Sequence, residues 1–223
     1  MRRRHLLALL AAATTAPRLA YAGEVKSVPI DKAFPFLAAY LGLPAADRSR
    51  FYLAFRAYRD KHPITDAKAT IVAANGARTP IAFDRQGIVT HLPDVATLKS
   101  GAHVEIEAPP FQIGPELRCA AAPSTHIDVA ELGLALAQVN KAIAKLAGAL
   151  SLVVPKLTAA FFPDAGAAQA LMADGHTATL PVFTFPSVGA VSYIEPANLA
   201  GARSVVLARA PSRILLGGHP KTV

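Results

Sequence analysis

An internal echo constrains the fold of this chain more than any other feature. Residues 69–109 align, with a few short gaps, with residues 168–211. An apolar run ends at Ala74-Asn75-Gly76 in the first stretch and at Ala173-Asp174-Gly175 in the second. Thr79-Pro80-Ile81 answers to Thr179-Leu180-Pro181-Val182, and Val89-Thr90-His91-Leu92 to Val191-Ser192-Tyr193-Ile194, each followed by a proline, Pro93 or Pro196. Leu98 and Gly101-Ala102 match Leu199 and Gly201-Ala202, ahead of Val104-Glu105-Ile106 and Val205-Val206-Leu207. Asn-Gly and Asp-Gly supply the positive φ angles of tight hairpin turns. Short apolar runs flank them as strands. Each copy therefore reads as three or four short antiparallel strands, with one helical turn, stopped by a glycine, before the last. Such a sheet has an apolar face that needs a cover.

Two helical segments are expected to supply the cover. Pro44 to about Arg59 reads as a helix: Phe51, Phe55 and Tyr58 are spaced four and three, Pro44 suits a first turn, and Pro63 lies beyond the end. A longer helix runs from Asp128, with Glu131 three residues on in a capping-box-like start, to Pro155. Within it Val129, Leu132, Leu136, Val139, Ile143, Leu146, Leu150 and Val153 step alternately by three and four, which is a regular apolar seam. Alanines flank the seam (Ala130, Ala137, Ala144 and Ala135, Ala142, Ala149) and permit close approach on a second side. This is read as a central helix packed between the two sheets, with a homodimer seam as the alternative. The expected fold class is α+β: two related small antiparallel β-meander units, each preceded by a helical segment, with one long central helix. The units span 23–115 and 116–223 and are expected to form one compact body.

Residues 2–5 read Arg-Arg-Arg-His, residues 6–16 are uncharged and mostly apolar, and Ala20-Tyr21-Ala22 precedes Gly23. That order is the pattern of a cleaved secretory signal, residues 1–22, cut between Ala22 and Gly23. The apolar run is too short to cross a bilayer core, which needs about 20 residues. Arg3-Arg4-His5-Leu6-Leu7 resembles a twin-arginine signal, although Arg2 stands where a Ser or Thr is usual. The resemblance implies transport after folding, across a bacterial inner membrane. The expected location is the periplasm, and no later stretch reaches transmembrane length without a charge or a proline.

Whole-chain charge is misleading here. The chain has 23 Lys and Arg against 15 Asp and Glu, net +8, but Arg2, Arg3, Arg4 and Arg18 lie in the leader, which leaves 19 against 15, net +4. That excess is too small to argue for nucleic acid. A single cysteine, Cys119, excludes an intramolecular disulfide. Leu117, Cys119 and Ala121 alternate with Arg118 and Ala120, so the thiol is expected on the apolar face of a strand, buried and inert.

The sequence holds no zinc-protease histidine pair, serine nucleophile elbow, Walker loop or dinucleotide glycine pattern, and no cofactor is expected. The best polar constellation is His103, Glu105 and Glu107, which share one strand face at a spacing of roughly 6.8 Å. With His91 or His126 as a third group, a His–Glu pair of this kind can bind a metal or move a proton; a plain solvent face is the simpler reading. Arg48, Arg50, Arg56, Arg59 and Lys61 lie along the first expected helix with only Asp47 and Asp60 against them. Such a stripe suits an anionic surface, and again a solvated face is simpler.

The segment Val89-Thr90-His91-Leu92-Pro93, then Leu98 and Gly101 ahead of a strand, resembles bacterial exported proteins of unknown function over most of the mature chain. The resemblance implies no activity. The expected function is a non-enzymatic periplasmic binding or protein-interaction protein whose partner is a protein or a small ligand. The alternatives are a hydrolase or metal-dependent enzyme using the His103/Glu105 face, and a cell-envelope protein that binds anionic surfaces. Intact mass spectrometry of protein recovered from the periplasm is expected to give a chain beginning at Gly23; a chain that keeps residues 1–22 overturns the export reading.

Overall fold

A computed structural model describes residues 25–147, 155–185 and 188–220. The expected signal segment, and the end of the long helix with Ala149, Leu150 and Val153, lie outside the described residues. The fold is α+β, and every registered strand pair is antiparallel. One four-stranded sheet has the order β1 (Lys26–Pro29), β6 (His103–Ile106), β4 (Ala69–Val72), β5 (Arg78–Pro80). A second has the order β8 (His126–Asp128), β14 (Ala202–Leu207), β10 (Ala168–Met172), β11 (Thr177–Thr179). A seven-stranded sheet runs β12 (Val182–Phe185), β13 (Gly189–Ile194), β9 (Ala159–Phe162), β15 (Leu215–Gly217), β7 (Gln112–Cys119), β2 (Phe51–Arg59), β3 (His62–Pro63).

The turn chemistry reads as the sequence requires. Gly76 sits at φ +83° between β4 and β5, with the Asn75 carboxamide oxygen accepting from Ala77 N–H at 3.0 Å. Gly175 sits at φ +88° between β10 and β11, with Asp174 accepting from His176 N–H at 3.2 Å. Ahead of β6, Asp94 caps the short helix α3 (Val95–Lys99) by accepting from Thr97 N–H at 2.7 Å, and Gly101 at φ +74° ends it. Ahead of β14, a single 3-10 turn, Pro196–Asn198, is closed by Gly201 at φ +84°.

The helix expected over Pro44 to Arg59 is not formed. Only Ala45–Arg48 makes a 3-10 turn, and Phe51–Arg59 is the strand β2. A spacing of four, as between Phe51 and Phe55, fits a helix face and a strand face equally well. Leu53 and Ala57 fill the intervening even steps, and all four side chains are buried. Pairing decides between the two periods: β2 is in register with β7 from Phe51↔Cys119 to Tyr58↔Gln112, which satisfies a run of backbone groups that a lone helix would have satisfied internally.

This pairing sorts the side chains. One face of the seven-stranded sheet carries Phe51, Leu53 and Phe55 of β2 and Cys119, Leu117 and Ile113 of β7. Over the β2 half of that face lie α1 (Ile30–Ala33), α2 (Leu37–Leu41) and the first small sheet, joined in one core with Phe34, Leu37, Phe55 and Val104 fully buried. Over the β9 half lies α4 (Val129–Ala147), packed with the second small sheet in a core around Leu132, Val139, Phe162, Ile194 and Val205. Burial of side chains such as Leu132 and Val139 contributes about 1.5–3 kcal/mol each.

Helix α4 spends its seam inside the chain. Val129, Leu132, Leu136 and Val139 are buried together with one flanking alanine row, Ala135 and Ala142, whereas Ala130, Ala137 and Ala144 are exposed. The upper seam is therefore packed against this chain's own sheets. Asp128 accepts from Ala130 N–H at 2.7 Å at its start. Polar side chains then tie α4 to the segment before β2. Gln138 accepts from Arg50 N–H at 2.7 Å and donates to Ala46 O at 2.7 Å and Ser49 Oγ at 3.1 Å. Glu131 pairs with Arg50 at 2.5 Å, and Lys145 with Asp47 at 3.0 Å. Among the described residues no helix is long and apolar enough to cross a membrane.

Two glycines make a test of the backbone. Gly87 has φ +73°, and a Cβ there would lie 2.0 Å from the Ile64 carbonyl oxygen; Gly76 has φ +83° with nothing within 4 Å. Gly76→Ala is expected to cost about 1 kcal/mol from conformation alone, and Gly87→Ala about 3 kcal/mol or more because the strand-end loop must also move. Urea unfolding of the two variants checks the contrast.

Candidate functional site

The histidine–glutamate face is assembled for an ion pair. On β6, Glu105 takes the Arg78 guanidinium at 2.5 Å, and His103 Nε2 stands 3.7 Å away. The hydrogen bond from Arg78 holds the Glu105 carboxyl below the usual carboxylate range, against a partial desolvation that pushes it up. Glu107 lies just past the strand end and is exposed, and its N–H donates to Lys68 O at 3.1 Å. His91 and His126 each share a hydrogen bond with the neighbouring Thr90 and Thr125. Among the described residues no three His, Cys, Asp or Glu side chains converge in a way that would hold a metal.

The expected basic stripe is dispersed, because the segment that carries it is a strand and a loop. Arg48 lies over the Tyr40 ring, 5.1 Å from its centroid, and donates to Leu43 O at 3.2 Å. Arg50 is committed to Glu131. Arg59 reaches Asp66 at 3.6 Å, and Lys61 is exposed in the β2–β3 turn at φ +68°. Arg56 is buried at 4% exposure. The five face different surroundings and form no single patch.

An apolar concavity lies where the two cores meet. A pocket of about 630 Å³ opens between α2, α4 and the β2–β7 pair. Its wall is uncharged: Phe36, Ala39, Tyr40 and Leu43 on one side, Val139, Ala142, Ile143 and Leu146 of α4 on the other, and Phe51, Leu53, Pro115, Leu117 and Leu216 at the floor. Phe36, at φ +66° and 73% exposed, and Leu146, 48% exposed, leave apolar surface at the mouth. A smaller depression of about 310 Å³ adjoins it at Ala142 and is lined by Asp47, Gln138, Lys141 and Lys145. In that depression Lys145 is paired with Asp47 at 3.0 Å, and Lys141 is the cation beside them. The volume falls in the range of small-molecule sites, roughly 300–1,000 Å³.

The opposite face of the seven-stranded sheet holds the second feature. The residues of β2 and β7 that alternate with the apolar set are Arg56, Tyr58, Glu116 and Arg118, and Arg213 joins them from the segment before β15. All but Tyr58 are at most 8% exposed. Glu116 accepts from Tyr58 Oη at 2.8 Å and from Arg118 Nε at 3.0 Å and Nη2 at 2.5 Å. Arg56 Nε approaches it to 3.1 Å and Arg213 Nε to 3.4 Å. Burial alone would push the Glu116 carboxyl up; the attraction of Arg213, Arg56 and Arg118 outweighs this and holds it below the usual range. Burial and then the Glu116 charge push the Tyr58 hydroxyl up, so it remains a neutral donor. A signal for this cluster exists in the sequence: arginine and glutamate at alternate positions inside otherwise apolar strands, in Phe51–Tyr58 and Ile113–Cys119.

Cys119 lies where the alternation places it, on the apolar face and 4% exposed, and burial pushes its thiol up. Comparison with protein-family models, with curated proteins and with solved structures gave no match.

Two measurements follow from these environments. Cys119 is expected to resist an aromatic disulfide reagent in the folded protein and to react fully in denaturant; rapid native reaction contradicts the burial. Glu116→Gln leaves three arginines without their carboxylate and is expected to cost about 3–5 kcal/mol at neutral pH. Because the folded Glu116 titrates below its ordinary 4.5, its contribution is whole above that pH and is lost as pH falls through the folded value. The wild type should lose stability over about pH 5 to 3 more steeply than Glu116→Gln, as read from urea midpoints.

Proposed function

We propose that the chain is a non-enzymatic binding protein whose ligand is an elongated apolar molecule with an anionic end, of the chemical class of a free fatty acid. One observation carries this reading: an uncharged pocket of about 630 Å³ adjoined at Ala142 by a depression that holds Lys141 beside the Lys145–Asp47 pair. An apolar wall offers an alkyl chain burial worth about 0.8 kcal/mol per methylene. Lys141 in the adjoining depression favours a carboxylate over a neutral or cationic head group. The dispersal of the basic stripe and the commitment of Glu105 to Arg78 leave the envelope-surface and enzyme readings without a site of their own.

The same reading places the mature protein outside the cytoplasm, on the strength of the leader pattern in residues 1–22. We also infer that one unit is used twice, with the division in the link at 122–125 and not at 115/116, which would cut strand β7. Support comes from the matching strand orders β1-β6-β4-β5 and β8-β14-β10-β11, each with its hairpin glycine, its helical turn and its closing glycine in the same place. On this view the pocket lies at the junction of the two units, with α4 as one wall.

Hexadecanoate is the probe. Isothermal titration is expected to show saturable binding to the wild type, weaker binding of hexadecanol, and none to Ala39→Trp, whose indole would fill the mouth from an exposed position that the core does not use. Lys141→Glu should weaken the acid several-fold and leave the alcohol unchanged. Absence of saturable binding, or an Ala39→Trp protein that binds as well as the wild type, refutes the proposal.

A further inference from the structure

The charge cluster on the far face of the central sheet does not balance. Three guanidinium groups surround one carboxylate, and arginine stays protonated in proteins. Arg56, Arg118 and Arg213 are 4%, 8% and 5% exposed, and Glu116 8%. Two positive charges are thus in excess in a site largely removed from water. Such an excess costs several kcal/mol per unpaired ion unless something compensates it.

Hydrogen bonding tells the same story. Each guanidinium brings five N–H donors. The Glu116 oxygens are already taken by Tyr58 and by two nitrogens of Arg118. Arg56 Nε and Nη2 and Arg213 Nε are buried without a hydrogen-bond partner. Arg56 Nε and Arg213 Nε lie within ion-pair distance of Glu116, at 3.1 and 3.4 Å, but are not aligned to donate to it. Arg56 Nη2 has neither. Buried polar groups in folded proteins are almost always satisfied, so unsatisfied charged donors at one spot mark a missing acceptor.

We propose that this cluster is a binding site for a small phosphate-bearing anion. The excess of two positive charges matches the phosphate dianion, and planar guanidinium groups pair with tetrahedral oxyanions through two parallel hydrogen bonds. On the same face Tyr52, 42% exposed, stands opposite Arg118. Arg56 and Arg213 supply the idle donors. Arg118 is held in place by Glu116 and frames the site. Entry of the anion requires a shift of the long arginine side chains and leaves the β2–β7 ladder intact. The site lies across the sheet from the apolar pocket, and the proposal is independent of what that pocket binds.

The test uses the mature chain at constant ionic strength, with inorganic phosphate, glycerol phosphate and acetate as separate probes. Inorganic phosphate or glycerol phosphate at about 100-fold above its Kd should raise Tm by on the order of 5 °C, along a saturating curve. If only glycerol phosphate acts, the ligand is a phosphomonoester; if both act, free phosphate suffices. Acetate should do far less. Arg56→Met and Arg213→Met should each abolish the saturating response while keeping any general salting effect. Both should be at least as stable as the wild type in phosphate-free buffer, since each removes an uncompensated buried charge. Arg56→Lys, which keeps the charge and loses the fork, should respond at least ten-fold more weakly. A wild type indifferent to both phosphates, a response to acetate of equal size, or a response unchanged in both methionine variants overturns the proposal.

Discussion

The pairing of β2 with β7 is the constraint on which the rest depends. It aligns two long strands over a full run of partners, and its two-residue alternation divides their side chains without remainder. Phe51, Leu53, Phe55, Leu117 and Cys119 go to the side where helices and small sheets can cover them. Arg56, Glu116 and Arg118 go to the other. Slipping the register by one residue would send the charges into the apolar cores, so the register is held by the cost of every such exchange at once. The apolar pocket and the arginine cluster are then two consequences of one pairing, back to back across a single sheet.

Much of the local architecture is legible in the sequence because it is set by neighbours along the chain. Asn75-Gly76 and Asp174-Gly175 make the hairpins, Gly101 and Gly201 end the helical turns, and Asp128 starts the long helix, each through geometry confined to a few residues. The alternation around Cys119 puts its thiol on the apolar face for the same reason. The segment before Arg59 defeats this approach, since phenylalanines four apart satisfy both periods, and only the partner strand, some sixty positions on in the chain, breaks the tie. The pocket has no local signature, and the arginine cluster has only a partial one. The pocket is formed from residues near 40, 53, 117, 142 and 216, and the cluster from 56, 116, 118 and 213. An arginine inside an apolar strand is visible as an oddity, but its partners are fixed only by the sheet.

Helix α4 is held by two kinds of contact that divide the labour. Its buried stripe supplies most of the energy and is tolerant of angle. Gln138, Glu131 and Lys145 add directional contacts to residues 46–50, and Asn140 exchanges two hydrogen bonds with the backbone of Leu157, at 2.8 and 2.9 Å, as a strand residue would. The wall of the pocket is therefore fixed in rotation by polar side chains and in depth by apolar ones, which keeps Ile143 and Leu146 turned to the cavity.

The seven strands of the central sheet become one sheet through a narrow seam. Leu215↔Arg118 is the registered pair between β15 and β7, with Cys119 N–H donating to Ile214 O at 2.9 Å beside it. On either side of that seam stands a strand with a row of backbone donors and acceptors. Parted, the two portions would each present a bare edge, the template by which strands recruit other chains into aggregates. The link through Ala122–Thr125, exposed and without regular structure, keeps each edge at a high local concentration of its proper mate. Covalent continuity thus acts as a chaperone written into the chain: it makes the intended pairing faster than any encounter with a stranger.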